Sequence, residues 1–152
     1  MTIPLIFLTL LSFCDIKCII LWCFVLFIGT CTENVALVFT DFHIHLNFNH
    51  HPMWDDLWKI SLFHSKMYII QKLGHFFGFF ILSILMTSGG KYKKGLYYAI
   101  SYGVFTELIQ PFFFRDARVL DMTIDAAGAL LAYYVCYVCL TLKNNNIEGE
   151  RI

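Results

Sequence analysis

Long apolar runs alternate with short polar segments along this chain. The runs cover about residues 3–29, Tyr68–Thr87, Gly95–Phe114 and Asp121–Leu142. A stretch of about 20 mostly apolar residues is long enough to cross the hydrocarbon core of a bilayer as a helix. The pattern therefore predicts an all-α fold, a polytopic membrane helical bundle of about four transmembrane helices.

The start of the first helix is open to two interpretations. Asp15 and Lys17 interrupt the apolar run, and they either pair within one long helix or precede a helix that starts near Cys18. The first residues, Met1–Pro4, lack the basic charge that begins a signal peptide. We therefore expect residues 1–31 to form a retained N-terminal membrane helix.

Residues 32–67 break the apolar pattern with charged side chains among aromatic ones, and they contain five of the six histidines. Such a segment cannot cross hydrocarbon unaided, so it is predicted to be an outer interfacial loop with short amphipathic helices. Five of its side chains are of metal-ligating type: Asp41, His43, His45, His50 and His51. Their spacing matches no zinc template, and no metal is predicted.

Composition supports the membrane class and excludes others. Hydrophobic residues make up 59% of the chain and charged residues only 14%, which is outside the range of soluble globular proteins. The 11 basic and 11 acidic residues balance, and no basic run predicts a nucleic-acid partner. The six cysteines lie in or beside apolar runs, and Cys136–Cys139 lacks the second ligand pair of a metal site. No cofactor is predicted.

The loop between the second and third helices sets the predicted topology. Ser88–Gly95 contains three lysines in a short turn, and the positive-inside rule places such a turn in the cytoplasm. Lys143 follows the last helix, so residues 143–152 are predicted to be a cytoplasmic tail. With four helices the N-terminus is also cytoplasmic, giving a multi-pass protein of the cell membrane.

Polar residues within the helices fall at one depth in this topology. At about 1.5 Å per residue, Glu107 lies roughly 18 Å from Gly95, and Lys72 lies roughly 22 Å from Thr87. Asp125 is only about 6 Å from Asp121 at the outer start of the last helix. All three helices therefore deliver their polar groups to the outer leaflet.

Spacing predicts that these groups point into the bundle. Lys72 and His75, and likewise Glu107 and Gln110, are three residues apart, while Asp121 and Asp125 are four apart, so each pair shares one helix face. Small residues continue the same faces, which lets helices approach closely. The predicted ligand-binding or polar network is Lys72, His75, Glu107, Gln110, Arg115, Arg118, Asp121, Asp125 and Gly128. Intramembrane ionisable residues are usually functional, although such a network could also only orient the helices.

These motifs resemble the VanZ-like family of bacterial membrane proteins, named for a teicoplanin-resistance protein. The resemblance covers about residues 68–135, through Lys72-x-x-His75-Phe76, Glu107-x-x-Gln110, Arg115 with Asp121 six positions later, and Asp121-x-x-x-Asp125-x-x-Gly128. It identifies residues 68–142 as a VanZ-like three-helix core. The family pattern often has Asn where this chain has Asp125, and a small or hydroxyl residue where it has Arg118.

The resemblance implies an envelope protein, with an effect on teicoplanin susceptibility as one expectation. The residues allow three hypotheses for the activity. The outward polar site could bind an anionic ligand, such as a membrane lipid or a lipid-linked envelope molecule, through its arginines. His75, Glu107 or Asp125 could instead act as acid or base in an enzyme on such a molecule, although no nucleophile motif identifies a catalytic residue. The small-residue faces could also make the protein a helical scaffold or a homo-oligomer.

Overall fold

The computed structural model describes residues 16–32, 46–52, 54–55, 57–58 and 66–149 of the chain. Within these residues the fold is all-helical, as the apolar pattern predicts. The elements are α1 (Ile16–Cys31), α2 (Lys66–Met86), α3 (Lys93–Ile109), a 3-10 helix (Gln110–Phe113) and α4 (Val119–Gly149). Residues 1–15, and with them the open question at Asp15, lie outside the described residues, as do Asp41, His43 and His45.

The helices expose many large apolar side chains and bury polar side chains beside the apolar core. Exposed residues include Ile69, Leu73 and Phe77 on α2 and Leu131 and Tyr134 on α4. About half of the buried side chains among the described residues are polar or charged. Apolar surface of this extent and a polar interior suit a lipid environment. Two helices are long and apolar enough to cross a membrane, at Tyr68–Met86 and Val119–Asn146, while α1 is apolar but shorter.

The second helix ends in the turn between α2 and α3, where residues adopt the left-handed backbone conformation. Gly89 and Gly90 have φ angles of 67° and 88°, a conformation that glycine adopts without steric cost. The Gly89 N–H donates to the Ile84 carbonyl at 2.9 Å, which satisfies one of the carbonyls at the helix end. Lys91, Lys93 and Lys94 are exposed on this turn.

The third helix ends earlier than the predicted Gly95–Phe114. It runs from Lys93 to Ile109 and continues as the 3-10 helix to Phe113. Pro111 explains the change, because its ring clashes with the carbonyl four residues before it and it has no N–H to donate. Phe114 then takes a left-handed φ of 56°, and the chain turns towards α4.

The fourth helix packs against α2 along most of the length of α2. Gly128 permits this, because a Cβ there would lie 2.3 Å from the Phe76 carbonyl oxygen of α2. The Ser83 hydroxyl of α2 donates to the Ala129 carbonyl of α4 at 2.8 Å. Compared with the predicted Asp121–Leu142, α4 begins two residues earlier and continues to Gly149.

The first helix completes the bundle. The Trp22 indole N–H donates to the Gly78 carbonyl at 3.0 Å, and the Tyr102 hydroxyl donates to the Cys23 carbonyl at 2.6 Å. These bonds join α1 to both α2 and α3. The apolar core lies where the four helices meet and consists of Leu26, Phe79, Leu82, Leu96, Ala99 and Ala129.

Candidate functional site

A buried ion pair joins the beginning of α2 to the beginning of α4. The Lys72 ammonium contacts Oδ1 of Asp121, and both side chains are largely removed from solvent. The same ammonium lies 4.6 Å from the centre of the Tyr68 ring. Because α2 and α4 both start at this end of the bundle, residues 49 positions apart in the chain meet here.

One turn deeper, His75 links two carboxylates from different helices. Its Nδ1 lies 3.1 Å from Oδ1 of Asp125 on α4 and 3.6 Å from Oε1 of Glu107 on α3. All three side chains are buried. The polar groups that the spacing predicted to point into the bundle thus meet in one cluster from three helices.

The Glu107 carboxylate is also held by its own helix end and by the following turn. Gln110 donates a side-chain hydrogen bond to Oε1, and the backbone N–H of Arg118 donates to Oε2 at 3.3 Å. Both Glu107 oxygens therefore have donors, which fixes the orientation of the carboxylate. The short 3-10 helix makes this possible by folding Gln110 and Arg118 back towards Glu107.

A polar pocket of 240 Å³ opens above this cluster. Its walls come from the first turn of α2, the turn after the 3-10 helix and the start of α4. Three cationic and two acidic side chains lie among its lining residues, which are Tyr68, Gln71, Lys72, Phe114, Arg115, Asp116, Arg118 and Asp121. Both arginines of the predicted network are therefore at the pocket.

The arginines differ in their surroundings. Arg118 Nη2 donates to Oδ2 of Asp116 at 3.0 Å, and the Asp116 side chain is half exposed. Burial lowers the pKa of Arg115 from its ordinary value, and the charges of Glu107, Asp116 and Asp121 act in the opposite direction. A guanidinium stays protonated in proteins, so Arg115 remains a cation at the pocket.

Aromatic side chains surround the turn that carries the pocket arginines. Phe48 stacks on Phe112 with ring centres 6.0 Å apart, and Trp54 meets the same ring edge-on at 6.2 Å. The Asn49 N–H donates to the Phe112 carbonyl at 2.7 Å. The described part of the predicted interfacial loop thus lies against the pocket end of the bundle, as does Leu57, whose carbonyl accepts from the Val119 N–H at 3.0 Å.

One predicted site residue has a different role, and four pocket residues are missing from the predicted network. Gly128 offers no side chain to the site, and its contact with the Phe76 backbone sets the distance between α2 and α4. Tyr68, Gln71, Phe114 and Asp116 line the pocket but are not in the predicted network. A signal existed for Tyr68, because it lies one helical turn before Lys72 on the same face.

The cluster of His75, Glu107 and Asp125 is also of metal-ligating composition. One ligand atom from each residue lies within 4.8 Å of the others. Among the loop histidines that the sequence offered as ligands, His50 and His51 are described and exposed, and neither belongs to this cluster. No spacing pattern in the chain indicates a metal at His75, because these three residues lie on three separate helices.

Comparisons with known proteins give a family and a relative. The family model described as VanZ/LLP1 matches residues 16–140. The chain is 29% identical over 115 residues to the uncharacterized membrane protein YwnJ of Bacillus subtilis (strain 168). This match covers 74% of the chain and 82% of that protein. No solved structure matches the chain.

Proposed function

Because the chain belongs to the VanZ/LLP1 family of membrane proteins, we propose that it crosses the cell membrane several times and binds an anionic lipid headgroup in its polar pocket. The ligand class is a membrane lipid or a lipid-linked envelope molecule carrying a phosphate. The observation that carries this proposal is the pocket lined by Lys72, Arg115 and Arg118.

The charges at the pocket favour an anion. Lys72 is paired with Asp121 and Arg118 with Asp116, so the two acidic residues hold these cations in position. Arg115 is the third cation, and the lining has more basic than acidic groups. Arginine guanidinium groups bind phosphate through two parallel hydrogen bonds. A phosphate ester of a lipid headgroup matches this arrangement.

The position of the pocket favours a ligand anchored in the membrane over a free one. Phe48, Trp54, Phe112 and Phe114 are at least partly exposed around the pocket end, and aromatic side chains concentrate at membrane interfaces. In the proposed topology α1, α2, α3 and α4 all cross the bilayer, and the pocket faces outward. A headgroup at the outer surface could then enter the pocket while its acyl chains stay beside the apolar helix faces.

Binding of short-chain lipids to the purified protein in detergent tests the proposal. We expect dioctanoyl phosphatidylglycerol to bind and dioctanoyl phosphatidylcholine, which has no net charge, to bind at least roughly tenfold more weakly. Arg118→Gln should weaken phosphatidylglycerol binding by roughly tenfold, because a hydrogen bond to a charged group contributes about 1.5–3 kcal/mol. Glycerol phosphate without acyl chains distinguishes a free anion from a lipid as the ligand.

Lys91→Gln is the matched control, since Lys91 is an exposed cation on the turn at the other end of the bundle. It should leave lipid binding unchanged. Equal affinity for the two lipids, or equal loss in both variants, would contradict an anion site at the pocket. Tighter binding of glycerol phosphate than of the lipid would contradict the lipid assignment alone.

The same pocket could alter teicoplanin susceptibility, because teicoplanin carries an acyl tail and acts at the outer surface. In a sensitive Gram-positive host, the wild-type protein should change the susceptibility to teicoplanin and leave the susceptibility to vancomycin unchanged. Arg118→Gln, produced at a matched membrane level, should abolish the shift. If the wild-type protein produces no shift, the resistance role is contradicted. The lipid-binding measurement then tests the anion site by itself.

A further inference from the structure

We propose that His75, Glu107 and Asp125 bind one divalent transition-metal ion in the centre of the bundle, with Zn²⁺ as the test ion. This site is separate from the proposed anion pocket, whose cations are Lys72, Arg115 and Arg118. The proposal revises the sequence-based prediction that the chain has no metal. Metal binding and lipid binding can each be tested without the other.

The distances suit a shared ion. A Zn²⁺ ion binds nitrogen and oxygen ligands at about 2.0–2.2 Å, so neighbouring ligand atoms around it lie roughly 3.0–3.5 Å apart. His75 Nδ1 lies 3.1 Å from Asp125 Oδ1 and 3.6 Å from Glu107 Oε1, and all three ligand atoms fall within 4.8 Å of one another. The two distances from His75 thus match a shared ion, and the carboxylate oxygens of Glu107 and Asp125 would move to a similar separation when the ion binds.

The chemistry of the ligands selects the type of ion. One imidazole nitrogen with two carboxylate oxygens suits Zn²⁺, Mn²⁺ or Fe²⁺, whereas Mg²⁺ and Ca²⁺ favour oxygen ligands alone. Glu107 and Asp125 are 0% and 1% exposed, and His75 is 6% exposed. Two carboxylates held this close in a dry site repel each other, and a divalent cation would neutralise both.

A second observation concerns Asp125 itself. Its Oδ2 atom is buried, and no hydrogen-bond donor reaches it from the described part of the chain. A buried carboxylate oxygen without a donor is costly, and a cation bound by both oxygens of Asp125 would offset that cost. Glu107, in contrast, is oriented by Gln110 and the Arg118 N–H, as carboxylate ligands of metals usually are.

Zinc binding by the purified, untagged protein in detergent tests the site. After EDTA treatment and its removal, the protein is incubated with ZnCl₂, desalted and analysed for metal by mass spectrometry. We expect about one zinc per chain, and Asp125→Asn should lower the zinc affinity by at least roughly tenfold, as loss of a group at a metal site does. Co²⁺ in place of Zn²⁺ should give visible absorption bands that change in Glu107→Gln.

The control replaces the exposed histidines, as His50→Gln with His51→Gln, and should bind zinc like the wild type. The proposal is overturned if the wild type retains no zinc above a detergent blank. It is also overturned if the His50/His51 variant loses the metal while Asp125→Asn keeps it. Should Asp125→Asn not fold, Glu107→Gln with unchanged Co²⁺ bands would overturn the proposal equally.

Discussion

At the scale of single residues, the Lys72–Asp121 pair is the contact most sensitive to a change of charge. Breaking a buried ion pair by removing one partner typically costs 3–5 kcal/mol, because the other charge stays buried and uncompensated. Asp121, whose charge is left behind in Lys72→Met, borders the pocket, where water can reach it. The variant should therefore lower the free energy of unfolding by roughly 3 kcal/mol, the lower end of that range. Unfolding of the purified protein by SDS in mixed micelles measures this change.

Two variants separate the ion pair from a general effect of lost charge. Adding Asp121→Asn to Lys72→Met removes both charges and should recover part of the lost stability. Asp116→Asn breaks the more exposed pair with Arg118, and pairs at the surface contribute only about 0–1 kcal/mol. If Lys72→Met costs no more than Asp116→Asn, the buried pair does not stabilise the bundle.

The residues of the site could be predicted from the sequence, but their partners could not. Charged residues inside apolar runs are recognisable as candidate site residues, and three- or four-residue spacing places them on common helix faces. Which carboxylate meets His75 depends on how α2, α3 and α4 rotate and cross, and that depends on close packing at positions such as Gly128. A metal site built from three helices leaves no spacing signature in the chain, in contrast to a pair of ligands on one helix.

At the scale of the elements, the contact between α2 and α4 decides whether the site forms. A Cβ at Gly128 would lie 2.3 Å from the Phe76 carbonyl oxygen, so Gly128→Ala forces the two helices apart. Overpacking of this kind costs about 1–3 kcal/mol, and the separation should also weaken zinc binding at His75 and Asp125. The free energy of unfolding and the zinc content of the purified variant check both effects.

Gly74→Ala is the matched control for that change. A Cβ at Gly74 meets no atom within 4 Å, and alanine is favoured over glycine in a helix by up to about 1 kcal/mol. This variant should be as stable as the wild type or more stable. A Gly128→Ala protein that unfolds like Gly74→Ala would show that the close approach of α2 and α4 is not needed.

The apolar runs predicted the existence of these helices well and their ends poorly. The all-α class and the VanZ-like family are confirmed, because long apolar runs and spaced polar residues are strong signals. The 3-10 helix at Gln110–Phe113 was missed, although Pro111 gave a reason to end the α-helix before it. The extension of α4 to Gly149 has no apolar signal, since its last residues are mostly polar.

At the scale of the whole molecule, the two ends of the bundle carry different kinds of positive charge. Lys91, Lys93 and Lys94 are exposed on the α2–α3 turn, whereas Arg115 and Arg118 are partly buried at the pocket. A Cβ at Gly90 would lie 2.8 Å from the Tyr137 backbone nitrogen, so the turn is level with Tyr137. From Val119 to Tyr137, α4 rises about 27 Å, close to the roughly 30 Å of a hydrocarbon core.

This geometry yields a testable orientation, with the lysine turn in the cytoplasm and the pocket outside. In a protein whose Cys14, Cys18 and Cys139 are replaced by Ala, a cysteine introduced as Asp116→Cys should react with a membrane-impermeant maleimide on intact cells. Lys91→Cys should react only after the cells are opened. The reverse labelling would place the pocket in the cytoplasm. An anionic headgroup of the inner leaflet could then reach the pocket, but an extracellular glycopeptide could not.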